Sequence, residues 1–242
     1  MIITIDGPSA SGKSSVAQQL AQQLQLVHIN SGYLYRAAAV VYLRLQASDQ
    51  NKSEVQSGQT CAGALRPQSD FTDPRFLHAL TQLEYRYTLL SQQAQIFYLG
   101  QDLTPELKTP AVSQLASVIS AVPAVRDQIN ACQRALVQQQ PAHNYIADGR
   151  DCGSVVFPQA ALKFFLTASL AVRASRFCRS LALSAAPLSL AECTAELAQR
   201  DQRDTTRPVA PLVVPVGAVV IDSSDLTLAQ VVAQLKALIL AV

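Results

Sequence analysis

Eight residues near the start, Gly7-Pro8-Ser9-Ala10-Ser11-Gly12-Lys13-Ser14, constrain this chain more than any others. They match GxxxxGK[ST]. The β-branched run Ile2-Ile3-Thr4-Ile5 precedes them, and Lys13–Leu24, with helical periodicity, follows. That strand–loop–helix context is what gives the motif its meaning. Glycines let such a loop wrap so that backbone N–H groups face phosphate oxygens, and the helix N-terminus adds partial positive charge. Gly7, Pro8, Ser9, Ala10, Ser11, Gly12, Lys13, Ser14 and Ser15 are therefore the expected cradle for a nucleoside triphosphate. Lys13 is expected to reach the β- and γ-phosphates, and the Ser14 hydroxyl to hold Mg²⁺.

The remaining pattern continues the same alternation. Further strands are expected at Val27–Ile29, Tyr145–Ala147, Lys163–Leu166 and Val219–Ile221. Helical spacing recurs over Tyr33–Leu45, Ala111–Ala121, Ala124–Val137 and Leu226–Leu240. Ser189 with Glu192, and Thr227 with Gln230, have capping-box spacing and are expected to start helices. Strands separated by helices predict an α/β fold: a P-loop core with a parallel, five-stranded sheet flanked by helices. Two stretches break the rhythm. Ala47–Pro74 is polar and reads as a solvated insertion, followed by a short helix from Asp73-Pro74 and a hairpin, Glu84–Leu90 with Gln93–Leu99. Arg173–Arg207 is helical by pattern and carries six of the chain's 14 arginines.

Composition narrows the class. Apolar residues make up 49% and charged residues only 15% of the 242, which excludes a disordered chain. A net charge of +2 argues against a nucleic-acid coat or a polybasic membrane anchor. The longest apolar stretch, Val209–Ile221, is broken by Pro211 and Pro215, so no membrane helix is expected. No secretion signal is visible at the N-terminus. The five cysteines are odd in number and none has CxxC spacing, so reduced, mostly buried thiols in a cytoplasmic protein are expected.

The chemistry beyond the triphosphate lies with the arginines. Asn51-Lys52-Ser53-Glu54 only approximates a base-reading NKxD and sits in the polar insertion, against a GTPase. The strand at Tyr145–Ala147 leads into Asp148-Gly149-Arg150-Asp151, where a motor ATPase would show Asp-Glu. An arginine at the carboxyl end of a core strand lies where open α/β sheets bind ligands, and suggests a second anionic substrate. Ser31-Gly32-Tyr33-Leu34-Tyr35-Arg36 opens the helix after the second strand, with Arg36 one turn into it, and Arg200, Asp204 and Arg207 have helical spacing. With 14 arginines against five lysines, the chain favours the side chain suited to bidentate phosphate contacts. His28, His78 and His143 read as structural.

At these residues the chain resembles the bacterial cytidylate kinases of the nucleoside monophosphate kinase group. The similarity rests on Ile3–Ser9, Ser31-Gly32-Tyr33-Leu34-Tyr35-Arg36, Ile146–Pro158, Arg200–Arg207 and Val220-Ile221-Asp222-Ser223-Ser224, and spans essentially the whole chain. The resemblance implies transfer of the γ-phosphoryl group of ATP to CMP or dCMP, with Mg²⁺, by a cytoplasmic monomer that takes neither nucleic acid nor membrane as partner. It implies one domain over 1–242, with a core of 1–36, 111–172 and 208–242. An inserted monophosphate-binding subdomain would cover about 37–110, and a helical lid about 173–207. Ser31, Arg36, Arg150 and Arg207 would hold the CMP phosphate, and Arg200 and Asp204 the sugar. Asp151, with groups near Thr104 and Lys108, would read cytosine. Arg173 and Arg176 would hold the transferring phosphoryl group. The chain departs from the family's usual pattern at Asn30 (Asp is usual), Lys108 (Arg) and Phe177 (Arg). Two other readings stay open at this level: a P-loop kinase acting on UMP, AMP or a phosphorylated metabolite, and a non-catalytic nucleotide-binding module.

Overall fold

The computed structural model describes residues 1–57, 70–91, 93–181 and 188–241. Its main sheet has five parallel strands: β1 (Ile2–Asp6), β2 (Val27–Asn30), β6 (Tyr145–Gly149), β7 (Leu162–Thr167) and β8 (Val219–Asp222), in the order β2-β6-β1-β7-β8. β1 is central and covered on both faces: apolar Ile3 and Ile5 on one and polar Thr4 and Asp6 on the other are fully buried. One face packs on α1 (Lys13–Leu24) and α8 (Leu228–Leu240). There Val16, Ala17, Leu20 and Ala21 of α1 meet Ile3, Ile5, Ile146, Phe164 and Leu166. Val27, Ile29, Tyr145 and Ala147 point to the other face, with Val156 and Phe157.

Two compact units are distinguished. The first comprises Met1–Ser31, Tyr87–Ala94 and Gln133–Val242, and the second Gly32–Arg86 and Gln95–Cys132. The second unit contains most of α2 (Ser31–Ser57), α3 (Pro74–Leu80) and α4 (Pro110–Ile119), and α5 (Pro123–Gln139) begins in it. In it Tyr42 packs against the rings of Phe71 and Phe76, and Arg126 lies under the Tyr35 ring. The expected hairpin forms as β3 (Leu83–Thr88) and β4 (Gln93–Tyr98), extended by the two-residue β5 (Gln101–Asp102).

The expected core strands all form, most of them longer by a residue at an end. Both capping boxes are present, at Ser189 before α7 (Leu190–Thr206) and at Thr227 before α8. Two expectations need correction. The helix expected to end at Leu45 continues to Ser57, so the first part of the polar insertion is helical. Its remainder, residues 58–69, lies outside the described residues, as does Cys61. The cysteines are not all reduced: Cys178 on α6 (Leu170–Leu181) and Cys193 on α7 form a disulfide, with Cα atoms 5.8 Å apart. Those two helices pack on one another, which brings together thiols 15 residues apart. Cys132 and Cys152 are free thiols.

Candidate active site

The loop after β1 has the backbone a phosphate cradle needs. Gly7 has φ 146°, and a Cβ there would sit 2.0 Å from the carbonyl oxygen of Leu166, so only glycine fits. Ala10 (φ 59°) and Gly12 (φ 99°) also adopt left-handed conformations, and Gly12 caps α1. Lys13 turns back into this loop. Its ammonium donates to Pro8 O (2.6 Å) and Ser11 Oγ (3.3 Å) and is 5% exposed. Burial, followed by the charge of Arg150, pulls its proton affinity well below that of an ordinary lysine.

Asp148, at the end of β6, faces the same loop. Ser14 Oγ donates to Asp148 Oδ2 at 2.6 Å, and His28 Nε2 lies 2.6 Å from Asp148 Oδ1. Burial alone would raise this carboxyl. The hydrogen bond and charge of His28, the Ser14 hydroxyl and Lys13 outweigh burial and hold it below the ordinary range. A hydroxyl and an ionised carboxylate side by side form a hard oxygen donor set, which fits Mg²⁺. Ser31 Oγ donates to the Asp148 carbonyl (2.7 Å). Gly149 permits that approach, since a Cβ would fall 2.4 Å from Ser31 Oγ.

Beyond Gly149 the chain enters a π-helical turn, Cys152–Val156, and Asp6 fixes its start. The Asp6 carboxylate accepts N–H bonds from Cys152 (2.8 Å) and Gly153 (2.7 Å). It is fully buried, and burial pushes its pKa up to about 6 against the opposing pull of those two bonds. This anchor sets the direction of Arg150. The Arg150 guanidinium donates from Nη2 to Ser9 Oγ of the loop (2.7 Å) and from Nε to Asp204 Oδ2 of α7 (2.8 Å).

The α6–α7 pair supplies the other cations. Arg173 donates to Ser9 O (3.3 Å), Ala168 O (2.9 Å) and Asp201 Oδ2 (2.6 Å). Arg176 donates to Ser11 O (3.5 Å) and to Ser223 Oγ (3.0 Å) and O (2.6 Å). Arg200 pairs with Glu196 and lies over the Phe177 ring, 5.4 Å from its centroid. Arg207 lies 3.5 Å from Asp151 Oδ1, both nearly buried. Within the first unit, then, the structure brings together the loop Gly7–Ser15, Ser31, Arg150, Asp151, Arg173, Arg176, Asp204 and Arg207. Arg36, Thr104 and Lys108 belong to the second unit. Arg36 lies over Tyr33, Thr104 Oγ1 accepts the Ile96 N–H (3.0 Å), and Lys108 is exposed at the end of a 3-10 turn.

The family model described as cytidylate kinase matches residues 3–240. The chain belongs to the cytidylate kinase family. The cytidylate kinase of Chlamydia felis is 39% identical over 240 residues, covering 99% of this chain and 98% of that protein. That of Chlamydia trachomatis serovar L2 is 40% identical with the same coverage. Among solved structures, a shikimate kinase from Bacteroides thetaiotaomicron is 10% identical, covering 99% of this chain and 98% of that chain, with a TM-score of 0.43. No described helix is long and apolar enough to cross a membrane.

Sequence reasoning assigned no role to Asp148, Asp6 or Asp201. Asp148 and Asp6 carried a signal, being acidic residues at the carboxyl ends of strands that flank the phosphate loop. Asp201 carried only its i, i+3 spacing to Asp204.

Proposed function

We propose that this chain transfers the γ-phosphoryl group of ATP to CMP or dCMP, giving ADP and CDP or dCDP. Family membership across residues 3–240 carries the reading. The Arg150 bridge between the phosphate loop and α7 supports it, since one guanidinium there can serve a donor and an acceptor phosphate together. A non-catalytic nucleotide-binding module would have no acceptor phosphate for that bridge to serve; a UMP or AMP kinase would, and the choice among them rests on family membership.

The monophosphate of CMP is largely dianionic near neutral pH, so its own oxygen is the nucleophile and no general base is needed. What remains for the protein is alignment and charge neutralisation. We infer that Lys13 leaves Pro8 O for the β- and γ-phosphates, while Arg173 and Arg176 hold the transferring group. Arg150, with Ser31, Arg36 and Arg207, holds the acceptor phosphate. Arg200 and Asp204 take the sugar, and Asp151, Thr104 and Lys108 the base. Ser14 and Asp148 would hold Mg²⁺, which when bound neutralises charge across the β- and γ-phosphates. The proposal keeps the division into a core (1–36, 111–172, 208–242), a monophosphate-binding insertion (about 37–110) and a lid (about 173–207), acting as a cytoplasmic monomer. Closure of the lid would exclude water from the phosphates. Phosphorus NMR of ATP, CMP, Mg²⁺ and enzyme is expected to show CDP and ADP growing in equal amounts. Release of inorganic phosphate at the same rate with or without CMP would contradict the reading.

A further inference from the structure

We propose that His28 is a positioning residue that holds the Asp148 carboxylate in the orientation needed for Mg²⁺. This rests on the metal site proposed at Ser14 and Asp148. The observation is a three-residue chain whose inner two members are buried while Ser14 is exposed at the phosphate loop: Ser14 Oγ to Asp148 Oδ2 at 2.6 Å, and Asp148 Oδ1 to His28 Nε2 at 2.6 Å. His28 is 7% exposed and Asp148 3%. The strand register explains the meeting. Asn30 is opposite Asp148 and His28 is opposite Ile146, so His28 reaches Asp148 across one diagonal of the β2–β6 pair. Val27 and Ile29 pack into the core of the opposite face, so His28 and Asp148 share the face that carries α1.

An apolar side chain would serve a strand position packed this way. A buried imidazole is tolerated because it is bonded to a carboxylate, and that bond takes one of the two oxygens. The division of labour follows from the inventory of lone pairs. Ser14 gives its only proton to Oδ2 and keeps lone pairs for a metal, so one hydroxyl can serve both partners. Oδ2 then has one lone pair left for the ion or its waters. Held at Oδ2 alone, the carboxylate can pivot about its terminal torsion, which is broad in aspartate. The second bond, at Oδ1, removes that freedom. Partners that orient a metal-binding group from behind typically change metal affinity by about 10–100-fold when removed.

Mn²⁺ is the probe. Its affinity for the enzyme–ATP complex is read from the EPR signal of free Mn²⁺, with no acceptor present and hence no turnover. ATP affinity in EDTA is read separately by calorimetry. His28→Leu is expected to weaken Mn²⁺ about tenfold or more, with ATP affinity in EDTA within about twofold of wild type. His28→Gln, whose amide can donate to Oδ1, should recover part of the loss. Should the leucine variant not fold, His28→Asn, polar but too short to reach Asp148, carries the same expectation. A Mn²⁺ affinity unchanged in the folded variants would overturn the proposal. So would an equal loss of metal-free ATP binding, which marks a merely structural role. Ser14→Ala separates the two levels. If it leaves Mn²⁺ affinity unchanged, the metal site itself is wrong and the proposal falls with it. If it weakens Mn²⁺ while His28→Leu does not, the His28 proposal alone fails.

Discussion

Arg150 is held charged by its surroundings: burial opposes the charge, but the Asp204 carboxylate more than compensates and raises its pKa. All three of its nitrogens donate to protein groups, Nε to Asp204, Nη1 to Gly149 O and Nη2 to Ser9, so a bound phosphate would share or replace some of these bonds. Arg150→Ala is therefore expected to weaken CMP by about 10–100-fold, the loss of a hydrogen bond to a charged group. ATP affinity should change far less, and Arg150→Lys should rescue only partly, because the bidentate fork is gone. Calorimetric titration of both ligands checks this, and a collapse of ATP affinity alone would reverse the assignment. Asp6 makes a prediction of a different kind. Its pKa of about 6 lies above the unfolded value of 3.8, so the folded state binds this proton more tightly. Its stabilising contribution is full below pH 3.8 and is lost as pH rises through 6. A shift of about two units corresponds to about 3 kcal/mol. Wild type should therefore gain up to about that much stability relative to Asp6→Asn between pH 7 and pH 4, by urea denaturation. A difference that stays flat with pH would remove Asp6 as the titrating group.

At the scale of elements, the α6–α7 pair sets Arg173 and Arg176 against the phosphate loop and also carries Arg200 and, at its end, Arg207. Its disulfide joins the two helices across a 15-residue separation. Closing a loop of that size in the unfolded chain is worth about 3 kcal/mol in the chain-entropy account. Denatured but unreduced protein should titrate at least two thiols fewer than reduced protein, the bridged pair Cys178 and Cys193. Reduction should raise the count to five and lower the melting temperature. Five thiols before reduction would contradict the bridge. Neither its existence nor its partners could be read from spacing, because the pairing depends on how two helices pack. Other elements were legible to different degrees. α1 matches its expected span because Val16, Ala17, Leu20 and Ala21 mark one apolar stripe ending before the left-handed cap at Gln25. α2 ran past its expected end because Ala47–Ser57 carries helix-forming Ala, Gln, Lys and Glu without a continuing apolar stripe. Periodicity reports burial, so a helix beyond its buried stretch is silent to it.

For the molecule as a whole, a parallel five-stranded sheet and the phosphate loop were readable because they depend on local alternation and on one motif; the order β2-β6-β1-β7-β8 was not. Nor was the chain Ser14–Asp148–His28, since it needs the register of strands some 120 residues apart in sequence. Arg36, Thr104 and Lys108, which the proposal gives to the acceptor, lie in the second unit. The central claim is a kinase selective for cytosine monophosphates. A site that hydrogen-bonds the amine and ring nitrogen of cytosine leaves buried groups unpaired when uracil enters, which is the strong route to discrimination. The most direct test is kcat/KM for CMP, dCMP, UMP and AMP in a coupled assay of ADP release at saturating ATP and Mg²⁺. The account predicts that CMP and dCMP exceed UMP by at least about tenfold, the worth of one hydrogen bond to a charged group, and exceed AMP by more. Equal or higher values for UMP or AMP, or ADP release independent of any acceptor, would contradict it.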